Sequence, residues 1–106
     1  MTLTQARRFA LSLPEAREEP HFDRASFRIR GKIFATALPH DGHLNVFVGE
    51  EYREPALAMY PDCIEKLIWG GKAVGLRIAL AGASPVVVKD LLRKAWTGKA
   101  PKSLQS

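Results

Sequence analysis

A chain of 106 residues, 46% hydrophobic and 25% charged, has the size and make-up of one soluble globular domain with its own core. Its single cysteine, Cys63, excludes an intrachain disulfide and suits a reducing compartment, and no stretch approaches the ~18 apolar residues of a membrane span. The net charge of +5 is uneven: residues 1–60 hold eight Lys/Arg and eight Asp/Glu, but residues 61–106 hold eight Lys/Arg against Asp62, Glu65 and Asp90.

That imbalance points to an anionic partner such as nucleic acid, although solubility alone also explains a charge of this size. The opening Met-Thr-Leu-Thr-Gln-Ala-Arg-Arg carries no apolar run of signal-peptide length, so the expected location is cytoplasmic. Ala6, Phe9, Ala10 and Leu13 recur at helical spacing and predict a helix over 3–13, capped by Thr2 or Thr4 and stopped by Pro14. Pro14 to Pro20 reads as an acidic loop.

Ser26 to Leu38 reads as a β-hairpin closed on Gly31-Lys32, with Gly supplying the positive φ that a type II′ turn needs first. In that register Phe27, Ile29, Phe34 and Leu38 share a covered face, and Arg28, Arg30, Ala35 and Ala37 an open one. Pro39 to His43 is a turn. Leu44 to Gly49 is a third strand, with Leu44, Val46 and Val48 inward and Asn45 and Phe47 outward. Residues 50–60 read as a helix that places Pro55 at its first helical position, ended by Pro61.

Cys63 to Trp69 and Val74 to Leu80 are the fourth and fifth strands, joined through Gly70-Gly71-Lys72-Ala73. Val74, Leu76, Ile78 and Leu80 point inward; Gly75, Arg77 and Ala79 point outward. Ser84-Pro85 opens the last helix with Ser84 as N-cap, Val88, Leu91, Leu92, Ala95 and Trp96 form its apolar stripe, and Gly98 ends it. Residues 1–98 form one domain and 99–106 a flexible polar tail. The order α-β-β-β-α-β-β-α gives an α+β two-layer sandwich, a five-stranded antiparallel sheet with three helices on one face.

The candidate chemistry is electrostatic. Arg28, Arg30, Lys32, Lys72 and Arg77 on an open sheet face and its hairpin tips suit phosphate contacts, and Phe47 on the same face suits stacking on an unpaired base. Phosphate binding needs those five cations on one surface. A protein-interaction module, the alternative, needs Phe47, Ile33 and the outward alanines to form an apolar patch. His40-Asp41-Gly42-His43 offers two histidines without a third ligand, so no metal site is expected. His21 beside Asp23 has no nucleophile near it, and Cys63 reads as a half-buried structural thiol. Trp69 and Trp96 are expected in the core or at its edge. Gly70-Gly71-Lys72 lacks the spacing of a phosphate loop, and no catalytic set or cofactor fingerprint stands out. No enzyme activity is expected.

Leu13-Pro14-Glu15-Ala16, Glu19-Pro20-His21-Phe22, Ser26 to Ala35 and Trp69-Gly70-Gly71-Lys72 to Leu76, in this order, resemble the MmcQ/YjbR family. The resemblance covers about residues 3–97. It implies the α-β-β-β-α-β-β-α fold, likened to type III secretion chaperones, no cofactor and no established enzymatic activity. It also implies DNA binding through two projecting hairpins, a double wing, which tips that offer Lys and no reader of base edges would make weak and sequence-independent. On this chain the wings are the Arg30-Gly31-Lys32 and Gly70-Gly71-Lys72 turns. Gly75 departs from the family, whose members often carry an aromatic residue there. The expected function is that of a non-catalytic DNA-binding protein, with a chaperone-like or self-associating module as the alternative.

Overall fold

The computed structural model describes residues 1–105. Its helices are α1 (Leu3–Ser12), α2 (Glu50–Met59) and α3 (Pro85–Lys99), and its strands are β1 (Ala16–His21), β2 (Arg24–Ile29), β3 (Lys32–Ala37), β4 (His43–Val46), β5 (Ile64–Trp69) and β6 (Lys72–Ala79). The strands form one antiparallel sheet in the order β1-β2-β3-β4-β6-β5. The expected α+β architecture is present, with six strands in place of five. The added strand is β1, the stretch read as an acidic loop, which pairs with β2 from Ala16↔Ile29 to His21↔Arg24. Its charges and Pro20 are unlike a central strand and suit a sheet edge, where one row of N–H groups needs no partner.

Residues directly opposite each other across a strand pair share a face. One core row runs Phe27–Ala35–Val46–Leu76 across β2, β3, β4 and β6. With Ile29, Leu44 and Ile78 it is buried in one cluster with Ala6 and Ala10 of α1 and Val88, Leu91, Leu92, Ala95 and Trp96 of α3. The α3 stripe is therefore the one its spacing predicts. The Trp96 indole N–H donates to the Pro14 carbonyl at 3.1 Å, so a buried polar group is satisfied where α1 leaves for the sheet. Thr2 caps α1 in a reciprocal box with Gln5: the Thr2 hydroxyl accepts from the Gln5 N–H, and the Gln5 side chain accepts from the Thr2 N–H.

The first hairpin closes one residue earlier than the sequence suggests. Its loop is Arg30-Gly31, with φ of +49° and +81°, both positive as in a type I′ turn. Moving the loop by one residue shifts every partner by two, which leaves each side chain on its expected face, so Phe34 stays in the core. A bulge then reverses the remainder of β3. The pairing passes from Arg28↔Ile33 to Phe27↔Ala35, leaving Phe34 as the extra residue. Ala35 and Ala37 therefore face the core, not the open side, and Thr36 faces the open side.

The second hairpin repeats this plan. Gly70-Gly71, at φ +59° and +79°, closes the turn between Trp69 and Lys72, and Val74 is the extra residue between Ile68↔Ala73 and Leu67↔Gly75. In both hairpins the bulge takes the third residue of the returning strand. Val74, expected inward, is half-buried and outside the core cluster, whereas Phe34 at the same step is fully buried within it.

Three helix details also differ from expectation. Pro55 lies inside α2, not at its first position, because α2 begins at Glu50 behind the N-cap Gly49. Ser84 occupies the N-cap position of α3, but its side chain makes no capping hydrogen bond. Gly98 does not end α3, which runs on to Lys99 with Ala100 as C-cap. Beyond it, Gln105 Nε2 donates to the carbonyls of Thr97 and Ala100 at 2.9 and 2.7 Å. Ser106, the end of the expected tail, lies outside the described residues.

Candidate nucleic-acid interface

The sheet face away from the helices carries a polar row across all six strands, Glu19–Ser26–Thr36–Asn45–Arg77–Glu65. Ser26 donates to the Glu19 carbonyl at 2.7 Å, Arg28 Nε donates to Ser26 Oγ at 3.0 Å, and Asn45 Nδ2 donates to Thr36 Oγ1 at 3.3 Å. Among the described residues, Asn45 Oδ1 lies buried without a hydrogen-bond partner. Arg77 donates to Glu65 Oε1 at 3.0 Å and to Asp41 Oδ2 at 3.4 Å. The Glu65 bond is the larger cause of a guanidinium pKa raised above its ordinary value, with Asp41 adding to it. Two carboxylates thus answer the charge of Arg77.

The two hairpin tips project from the same end of the sheet, because β3 and β6 both run antiparallel to β4 and both start at their tips. Three strand spacings separate the tips, about 14 Å. Lys32 and Lys72 are the first strand residues after the two turns, and both are exposed. They leave the sheet on different sides. Lys72 pairs with Trp69 on the open face, whereas Lys32 pairs with Ile29, whose side chain enters the core. Arg30 sits within the first turn and grips Glu15 through Nε at 3.2 Å and Nη2 at 3.1 Å. That bond holds the Glu15 carboxyl below the usual carboxylate range.

Of the six residues singled out from sequence, Arg28, Phe47, Lys72 and Arg77 stand on the open face, and Arg30 and Lys32 at the first tip. Arg30 and Arg77 are engaged by carboxylates. Among the described residues, Arg28, Lys32 and Lys72 form no ion pair. Arg17 and Arg24 stand beside Arg28 on the same face, opposite Arg28 and His21 in the β1–β2 register. The β1–β2 half of the open face is its basic half.

The other half is aromatic, and here the sequence misleads. Trp69 is not in the core; it is 42% exposed on the open face, opposite Lys72. Its ring meets that of Phe47 edge to face, with centroids 5.1 Å apart. Phe47 directly follows β4 and Trp69 ends β5, strands about 10 Å apart with β6 between them. Gly75 on β6 makes the contact possible. A Cβ at Gly75 would stand 2.0 Å from the Val46 carbonyl oxygen and 3.1 Å from Phe47 Cα, so no side chain fits between them. The aromatic surface that the resemblance leads one to expect at position 75 is supplied by its neighbours. Leu67, opposite Gly75 and two residues before Trp69 on the same face, is buried but outside the core cluster. The signal for Trp69 lies in the spacing Glu65, Leu67, Trp69, whose first member pairs with the outward Arg77.

A family model described as YjbR matches residues 11–97. The chain belongs to the YjbR family. Among solved structures it is similar to Deinococcus radiodurans protein DR2400, whose family-model domain is DUF419. The identity is 21% and the TM-score 0.76, over 90% of this chain and 75% of that one, a likeness of fold. Comparison with curated proteins finds no match.

The remaining candidates of this YjbR-family chain have local structural partners. Asp41 holds His43 in place: the His43 N–H donates to Asp41 Oδ1 at 2.7 Å, and its Nδ1 lies 2.8 Å from the Asp41 carbonyl. Among the described residues no group of three metal-ligating side chains forms. Cys63 is half-buried, with Sγ 3.9 Å from the Tyr60 carbonyl. Ala35 and Ala37, which the interaction-module alternative required on the open face, lie in the core. No helix is long and apolar enough to cross a membrane among the described residues.

Proposed function

We propose that this YjbR-family protein is a non-catalytic DNA-binding protein that takes phosphates at its two hairpin tips and on the basic half of its open sheet face. The observation that carries the reading is the repeated hairpin. Two turns of the same type, each followed by an exposed lysine and a bulge at the same step, stand at one end of the sheet, and neither lysine has a carboxylate partner among the described residues. Exposed Lys and Arg neutralise phosphates without reading base edges, so binding is modest, sequence-independent and salt-dependent. Arg30 and Arg77 contribute less than the free cations, since each would have to give up a carboxylate.

Fluorescence anisotropy with labelled DNA across a salt series tests this. Three phosphate contacts, by Arg28, Lys32 and Lys72, give a slope of log K against log[salt] of about −2 to −3. Replacing Lys32 and Lys72 together by Ala flattens the slope by about 1.5–2, while melting is unchanged because both are exposed. An absence of binding at low salt, or a double variant that binds as wild type does, defeats the reading.

A further inference from the structure

We infer that the nucleic acid this face prefers is single-stranded, with an unpaired base stacked on Trp69 and Phe47 as the wall behind it. The inference rests on the nucleic-acid reading above and names its substrate class. In a duplex the base faces are stacked on one another, and a protein meets only their edges and the backbone. A sheet that takes a duplex through phosphates alone therefore has no use for an exposed indole. Base faces become available only in a single strand, where aromatic side chains on an open sheet supply stacking platforms.

The open face is divided in the way such a strand requires. Arg17, Arg24 and Arg28 occupy the β1–β2 half, and Phe47, Leu67 and Trp69 the β4–β6–β5 half, with Lys72 directly opposite Trp69. Leu67, on the same face of β5, is buried while Trp69 keeps 42% exposure, so the indole stands beside a covered apolar neighbour and still offers ring surface. Phe47 fixes its position through the edge-to-face contact over Gly75. A strand running from Arg28 on β2 toward the β5 edge places backbone at Arg28 and Lys72 and a base on Trp69, just beyond Lys72.

The test compares a labelled single strand with its matching duplex against wild type, Trp69→Ala and Trp69→Phe. Wild type favours the single strand. Trp69→Ala weakens single-strand binding about tenfold, Trp69→Phe restores most of it, and duplex affinity stays within about twofold in both. Intrinsic fluorescence adds an independent signature. Trp96 is buried and hydrogen-bonded, so quenching by an unlabelled single strand reports Trp69 and disappears in Trp69→Phe. If nucleic acid binds but Trp69→Ala leaves single-strand affinity unchanged, or the duplex is preferred, the inference fails and the phosphate reading stands. If neither form binds, both fail. If Trp69→Ala dissociates a dimer without moving nucleic-acid affinity, the aromatic pair is covered by a second copy and the inference is overturned.

Discussion

A methyl group at position 75 has nowhere to go. Its ideal position is 2.0 Å from the Val46 carbonyl oxygen, a backbone atom that moves only if β4 moves. Gly75→Ala is therefore expected to destabilise by about 1–3 kcal/mol or more in chemical denaturation, the usual cost of overpacking. It is also expected to part Phe47 from Trp69 and change the Trp69 emission. A variant as stable as wild type would mean that β4 yields at no cost and that the close approach is incidental. The side-chain pattern around this glycine is half legible in the sequence. Simple alternation with Leu44 and Val46 points Phe47 outward, and its ring does meet that of the outward Trp69. Trp69 escapes such reading because bulky aromatics at strand ends are usually covered, and nothing in its own strand reveals that a glycine on the strand between it and Phe47 leaves room for an outward pair.

At the scale of elements, the caps separate two serine/threonine positions that look alike in sequence. Thr2 bonds the Gln5 N–H, whereas Ser84 makes no capping bond through its side chain. Thr2→Ala should cost about 1 kcal/mol and Ser84→Ala less than about 0.5 kcal/mol, compared by thermal or denaturant melts. An equal loss at both positions would contradict this. The helices and the two main hairpins are legible because apolar spacing and Gly-rich turns are strong local signals: Ala6, Ala10, Leu91 and Leu92 fall where their periods put them. The strand β1 is not, because Arg17, Glu18, Glu19 and Pro20 have little strand propensity and take up strand pairing with β2 alone. The bulges at Phe34 and Val74 are equally hidden. An extra residue carries no composition signal when apolar residues stand on both sides of it, yet it decides that Ala35 faces the core and Thr36 does not.

For the molecule as a whole, the positive excess of residues 61–106 divides between two surfaces. On the helix side, Lys89 and Arg93 of α3 lie over the Phe9 ring at 5.7 and 5.4 Å from its centroid, with Arg8 on the same groove as Lys89. On the open sheet side stands Lys72, joined there by Arg28 from the first half of the chain, while Lys32 leaves the neighbouring tip toward the other side. Net charge alone cannot choose between them; the paired tips and the aromatic half favour the sheet. Backbone amide chemical shifts followed by NMR during titration with single-stranded DNA decide the matter residue by residue. The account predicts that Arg28, Lys32, Phe47, Trp69, Lys72 and Gly75 shift together and saturate with one affinity, while Arg8, Phe9, Lys89 and Arg93 stay in place. Shifts confined to those four, with the hairpin tips and the Phe47–Trp69 pair unmoved, would contradict it.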